Sequence, residues 1–281
     1  MLDRPVAAAQ VFDADLSAIR ALAGVVPGPL PVALNAVKFA ASIRPQKFVI
    51  EDGDETPVTM PRTAYQVVYP DGTVMIDAGM DRATHESFGQ GEPYDDDAFA
   101  QILRALRAAR VIVLTHYHAD HAGGIVTAED ADALAAKTIA SAETLSLMMN
   151  QPHRSHLKLS EPLAERFVCL SYGRYFPVAP GMVLIKAPGH SPDMQMIYLR
   201  LQSGVEYLHS IDVAWNLANI RHVKGKAAPW VKEDGAAVIA QLRWLNRLMR
   251  DEPGLHILVT HDGELLDRMI GTGAVGGSLK V

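Results

Sequence analysis

Apolar side chains along this chain follow two rhythms, and the rhythm changes at short polar breaks. Phe99, Ile102, Leu103 and Leu106 fall at helical spacing, which predicts an amphipathic helix over residues 95–110. Aspartates open it and arginines close it, as the helix dipole favours. Val238, Ile239, Leu242 and Leu245 mark a second helix over residues 235–250. Short apolar runs point instead to buried strands at residues 111–114, 183–187, 195–201, 205–211 and 256–260. Residues 47–51, 64–69 and 73–77 complete the strand set, the last two joined as a hairpin through Pro70-Asp71-Gly72.

The first part of the chain is less regular. Residues 13–22 fit a short helix, which the Pro-Gly cluster at 27–31 breaks. Residues 32–42, small and apolar, read as a second helical piece. The expected organisation is an N-terminal helical extension over residues 1–45, placed to act as a lid, and one domain over residues 46–281. Hairpins mixed with helix crossovers imply an α+β fold, its sheets covered by helices on their outer faces.

Composition narrows the functional classes. A chain of 281 residues, 49% apolar and 21% charged, can bury a core without staples. The net charge of −6 leaves no electrostatic footprint for nucleic acid. No apolar run approaches the length needed to span a membrane. Residues 6–12 are apolar, but Asp13 and Asp15 follow at once, so no secretory leader is read and a cytoplasmic location is expected. The single cysteine, Cys169, excludes an internal disulfide and a cysteine-rich zinc module. Its apolar neighbours predict that it is buried and inert. A small molecule is the expected partner, and a homodimer is left open.

The chemistry gathers where strands end. The run at residues 111–114 leads into Thr115-His116-Tyr117-His118-Ala119-Asp120-His121, four metal-ligating side chains within six residues. Imidazole and carboxylate suit zinc, and also iron or nickel. His116 and His118 can clasp one ion; Asp120 and His121 point to a second, because four ligands so close can hardly all reach one tetrahedral centre. Three later strands end in the same way, at His190, Asp212 and His261. Alone, each is as readily a cap or a surface residue; together they supply the remaining ligands of two metals and a carboxylate able to bridge.

On these residues the chain resembles the metallo-β-lactamase superfamily, whose HxHxDH motif stands at His116–His121 and whose later motifs match His190, Asp212 and His261 in order. The resemblance covers residues 64–266 and implies an αββα sandwich. It also implies two divalent ions, zinc with iron or manganese as substitutes. His116, His118 and His190 would hold one, and Asp120, His121 and His261 the other, with Asp212 between them. Asp77, in Met75-Ile76-Asp77-Ala78-Gly79, matches a residue that supports a ligand from behind. A water between two such ions would ionise at neutral pH and attack a carbonyl or phosphorus, with water or Asp120 protonating the leaving group. The stretches 187–195, 210–215 and 259–262 look most like the N-acyl homoserine lactone lactonase branch. That implies a hydrolase opening lactones or related esters. The alternative is another dinuclear hydrolase, acting on β-lactams, thioesters or phosphoesters. The branch places a catalytic tyrosine where this chain has Trp215, which offers one indole N–H or a wall of the pocket. Among the other histidines, His85 and His222 are candidates for substrate contact, and His153, His156, His209 and His256 for packing. Residues 30–42 are a candidate cover over the site that would touch an acyl chain.

Overall fold

Two mixed sheets lie face to face with helices on their outer sides. The chain is described here by a computed structural model, over residues 10–281; the start of the 6–12 apolar stretch lies outside these residues. The first sheet has the order β1 (Ala33–Pro45), β2 (Pro57–Tyr69), β3 (Gly72–Ile76), β4 (Val111–Val113), β5 (Thr138–Ser141) and β6 (Val168–Leu170). The second sheet contains β7 (Tyr175–Ala179), β8 (Met182–Lys186), β9 (Gln195–Arg200), β10 (Glu206–His209) and β11 (Leu255–Leu258), in the spatial order β11-β10-β9-β8-β7. This is the α+β, αββα sandwich that the motifs imply.

Strand alternation divides the core in two. Tyr65, Val67, Val74, Ile76 and Val113 point between the sheets, where they meet Leu184, Ile197 and Leu199. Their neighbours Ala64, Met75, Ile112 and Leu114 point outwards, onto Phe99, Ile102 and Leu106 of the helix Asp96–Ala108. That period of two is what lets one strand serve two layers. The helix Gly235–Asp251 covers the second sheet with Val238, Leu242 and Leu245. No described helix is long and apolar enough to cross a membrane.

Four local expectations are corrected. Residues 32–42 are not helical: β1 pairs with β2 from Ala33 to Pro45, so among the described residues of the expected helical extension only Leu16–Leu22 is a helix. Alanine-rich sequence carries little strand preference of its own, and burial against β2 decides the outcome. Val32, Leu34, Val37, Phe39 and Ala40 do not line the cavity over the site; Leu34, Phe39 and Ala40 are buried in the cores instead. Residues 47–51 are not a strand either, since Gln46–Val49 forms one helical turn at the tip of the β1–β2 arm. Cys169 is exposed, because its strand β6 closes the edge of the first sheet.

The β1–β2 arm extends beyond β3, whose pairing with β2 begins only at Tyr65. On that overhang β2 is an edge strand, so Pro61, which has no N–H to give, is accommodated. The overhang brings Ser42, Arg44, Met60 and Arg62 to the cavity.

Candidate metal centre

The motif loop is fixed by two close approaches. After β4 the chain passes Thr115 and enters the helix Ala119–Val126 at His118. Gly124 in that helix lies so near the turn after β3 that a Cβ there would meet the Ala78 carbonyl oxygen at 2.2 Å. Only glycine permits this packing. The second approach is made by Asp77, which ends β3 in the left-handed region with φ 61°. Its carboxylate accepts the Thr115 N–H at 2.8 Å, the Thr115 hydroxyl at 2.8 Å, and Nδ1 of His121 at 2.7 Å. These three bonds hold a backbone conformation that costs about 1 kcal/mol or more in a non-glycine residue.

His118 occupies the N-cap position of that helix without making a cap hydrogen bond. The free Ala119 N–H goes instead to Nδ1 of His153, 3.1 Å away, and the His153 ring packs on His118 with centroids 4.2 Å apart. His118 Nδ1 faces Nε2 of His190 at 3.1 Å. Behind it, His190 Nδ1 lies 3.2 Å from Glu233, which is paired at 2.9 Å with the buried ammonium of Lys226. His261, beyond the end of β11, directs Nδ1 to the Pro61 carbonyl at 2.8 Å.

Asp212 is set by an unusual turn. Ile211 has φ 50°, a strained value for a β-branched residue. Its N–H is taken by Nδ1 of His209 at 3.0 Å. The turn leaves Asp212 buried, with Oδ1 3.5 Å from His121 Nε2 and Oδ2 3.4 Å from both His190 and His261 Nε2.

The result is two groups of donors. Ligand atoms of His116, His118, His190 and Asp212 lie within 4.8 Å of one another, as do those of Asp120, His121 and His261. All seven residues singled out in the sequence are therefore brought together. The residues fit divalent cations on three further grounds. Nε2 of His116, Nε2 of His121 and Oδ1 of Asp212 are buried without a hydrogen-bond partner, an arrangement that costs free energy unless something binds there. The far nitrogens of His121, His190 and His261 are each held by a carboxylate or carbonyl, as metal-binding imidazoles require. Finally, the donor set is imidazole and carboxylate throughout.

Electrostatics divides the histidines. Burial, then the neighbouring imidazoles, keeps His116 and His118 far below the usual histidine range and hence neutral. Burial followed by the Lys226 charge lowers His190. Burial would lower His121 too, yet Asp77, Asp120 and Asp212 together hold it well above that range. Burial would raise Asp120 and Asp212; His121 and Arg62 depress the first, and His261 and His121 the second.

Above the donors opens a cavity of about 720 Å³. His118, Asp120, His190, Asp212 and His261 form its floor. Trp215 lines it while donating its indole N–H to Asp212 Oδ2 at 3.3 Å. Neither histidine proposed for substrate contact reaches it: His85 is fully buried with Nδ1 3.0 Å from Arg62, and His222 is exposed at a helix end. His153, assigned to packing, does line the cavity. Arg62, Arg154, Glu233 and Lys226 were not legible either. They come from a strand arm and two loops whose sequence has no periodic or motif signal, and only folding gives them a common address.

Residues 58–149 match the family model for the metallo-beta-lactamase superfamily. No curated protein matches the chain. Among solved structures, an N-acyl homoserine lactone hydrolase with the product N-hexanoyl-L-homoserine bound at its catalytic metal centre is similar at 19% identity and TM-score 0.66; the match covers 85% of this chain and 96% of that one. A variant of B. thuringiensis AiiA with N-decanoyl-L-homoserine at its active site gives the same identity, coverage and TM-score. AidC, a dizinc quorum-quenching lactonase, is 13% identical with TM-score 0.58, over 84% of this chain and 90% of that one.

Proposed function

Because the chain carries a metallo-β-lactamase domain, we propose that it is a metal-dependent hydrolase that holds two divalent cations, zinc above iron or manganese, and opens lactones or related esters. The observation that carries this reading is the pair of donor groups, three histidines with Asp212 and two histidines with Asp120, on the floor of one cavity. The lactone-product complexes of its structural neighbours support the substrate class.

When bound, two such cations supply Lewis acidity: they polarise a carbonyl and bring the pKa of water near neutrality. The rest falls to the chain. Three neutral imidazoles and Asp212 would hold one ion; Asp120, His121 and His261 would hold the other, with Asp212 reaching both. Asp120 lies at the cavity floor, held ionised by its neighbours. It accepts the proton of the attacking water and returns it to the leaving alkoxide. Trp215 already spends its only donor on Asp212, so it positions that carboxylate and walls the cavity, and does not polarise the substrate. Phe48, Met60, Trp215 and Trp230 offer apolar surface to the remainder of the substrate.

The test is a panel of lactones, aryl esters, a β-lactam, a thioester and a phosphodiester, assayed on zinc-loaded protein. Turnover greatest for lactones is expected. Hydrolysis confined to the thioester or phosphodiester would overturn the substrate class, and no dependence on metal would overturn the hydrolytic reading.

A further inference from the structure

The cavity holds more positive charge than its metal floor explains. Arg62 projects from the β1–β2 arm and Arg154 from the loop after the helix Ala142–Asn150. The two guanidiniums flank one ring: Arg62 Cζ is 5.0 Å from the Phe88 centroid and Arg154 Cζ is 3.7 Å from it. Resting on the hydrolytic reading above, we propose that Arg62 and Arg154, bracketing Phe88, bind an anionic group carried by the substrate, so that this enzyme prefers substrates bearing a carboxylate or similar anion.

The charges in the cavity can be followed one by one. Arg44 is ion-paired with Glu92, which also accepts the Ser42 hydroxyl. That pair cancels. Asp120 and Asp212 belong to the donor groups and are offset by whatever cations sit there. Lys232 lines the cavity mouth and pairs with no carboxylate among the described residues. Arg154 bonds only neutral acceptors, the Ser87 hydroxyl and the His153 carbonyl, both at 3.1 Å. Burial and the charge of Arg62 both act against its protonated form. Arg62 shares Asp120 with the donor groups, 3.4 Å from its Nε, so Arg154 is the guanidinium left beside a like charge with no carboxylate partner among the described residues.

Arg62 is the more telling residue. It is only 8% exposed, and its Nη1 is taken by Ser42 and His85 at 2.8 and 3.0 Å. Its Nε is buried and makes no hydrogen bond, although Asp120 Oδ2 lies 3.4 Å away. With Nε and Nη1 turned inward, Nη2 of a guanidinium fixed by packing and lining the cavity is left to meet an anion. Phe88 keeps the two cations in place through its ring face. It also excludes water from one side, which strengthens the pairing. Another part of the lining, Phe48 with Trp230 at 5.0 Å between centroids, is apolar. The matching substrate has a hydrolysable carbonyl, an apolar spacer and an anionic end.

The experiment uses α-amino-γ-butyrolactone N-acylated with succinic, adipic or suberic acid, each with its far carboxylate free or converted to the carboxamide. The zinc-loaded full-length protein should show a kcat/KM for the best carboxylate roughly 10- to 100-fold above its carboxamide, the size of a charge-assisted hydrogen bond. In Arg154→Gln that ratio should fall towards one, and in Arg154→Lys to an intermediate value. The corresponding γ-lactams, which resist opening, report binding through quenching of Trp215 and Trp230, and should show the same preference. If wild-type protein binds and turns over both members of each pair equally, the proposal is overturned. It is overturned equally if the preference survives undiminished in folded Arg154→Gln, because the metals would then be holding the carboxylate. Lactams that bind with the preference while no lactone is opened would leave the anion site standing and remove the lactonase reading.

Discussion

The indole Nε1 of Trp215 lies 3.3 Å from Oδ2 of Asp212 and donates to it, so the N–H of the aromatic residue three positions after the central carboxylate faces the donor groups while its ring lines the cavity. This assigns the ring a consequence that a mere wall would lack. Trp215→Phe keeps the apolar surface and removes the donor. Support from behind a ligand commonly accounts for about 10- to 100-fold in metal affinity or activity. Competition against a chelator should therefore show metal released about 10-fold more readily from Trp215→Phe, with KM little changed. A raised KM with wild-type metal retention would mean that the ring serves only as a wall.

The second prediction concerns Asp77. Its carboxylate accepts three hydrogen bonds, one of them from the His121 ring. Asn tolerates the left-handed backbone there, but its amide can accept on one side only. Asp77→Asn should fold and lose about 10- to 100-fold in affinity at the site formed by Asp120, His121 and His261. Titration of the metal-stripped variant with zinc would then give one tight and one weakened equivalent. Two equally tight equivalents would show that Asp77 does not act through His121.

Metal content gives the third. Purified, zinc-loaded protein should carry close to two equivalents, since the donors form two groups. Ions that bind only the folded state stabilise it by about 2.7 kcal/mol at a hundredfold excess over Kd. Chelation should lower the Tm, and zinc should restore it. One equivalent at saturation would reduce the two groups to a single centre.

The ends of the strands were the legible part of this molecule. All seven candidate ligands stand where an apolar run stops, and a buried strand delivers its next residues to one rim of the sandwich. His116 to His121 also carry a local signal in their own spacing. Asp77, which holds His121 from behind, was legible in its own motif; the other supports were not. Arg62, His153, Lys226 and Glu233 reach the site from far along the chain, and each is an unremarkable polar residue in its own neighbourhood. The error at residues 32–42 has a related cause. An alanine-rich apolar segment has no preferred rhythm, and it became β1 because β2 lay beside it with free hydrogen-bonding groups. Cys169 misled for the opposite reason: its apolar neighbours belong to a strand at the sheet edge, where a side chain can face solvent.

Gly124→Ala tests the packing that positions the motif loop. The added Cβ would meet backbone, the Ala78 carbonyl oxygen at 2.2 Å, and no flexible side chain can yield there. Helix propensity alone would favour Ala by about 1 kcal/mol. Overpacking of this kind costs about 1–3 kcal/mol or more, so the net effect should be destabilising. Urea unfolding of the zinc-loaded protein should give a lower midpoint, and a raised midpoint would show that the helix shifts freely.

The last prediction turns on His209, which is not among the donors but holds the turn before Asp212. Its ring is buried, edge-on to Tyr65 at 4.5 Å, and Nδ1 accepts the Ile211 N–H at 3.0 Å. That bond needs the neutral ring, and burial lowers the pKa to about 3 against an ordinary 6.5. The unfolded chain takes up a proton below about 6.5, whereas the folded chain refuses it until about 3. The stabilising contribution is therefore complete above the unfolded value and declines as pH falls through this window, by up to about 1.4 kcal/mol per pH unit. In His209→Asn the amide oxygen can still accept from Ile211, but no group titrates. The variant should be less stable than wild type at pH 7.5, having lost ring packing against Tyr65. Between pH 6 and 4 its stability should decline less steeply, so the two curves converge. Urea unfolding of metal-stripped protein across that range is the measurement, because acid release of metal then cannot contribute. Parallel curves would show that His209 is protonated in the folded state as readily as in the unfolded one, and that the Ile211 bond does not depend on a neutral ring.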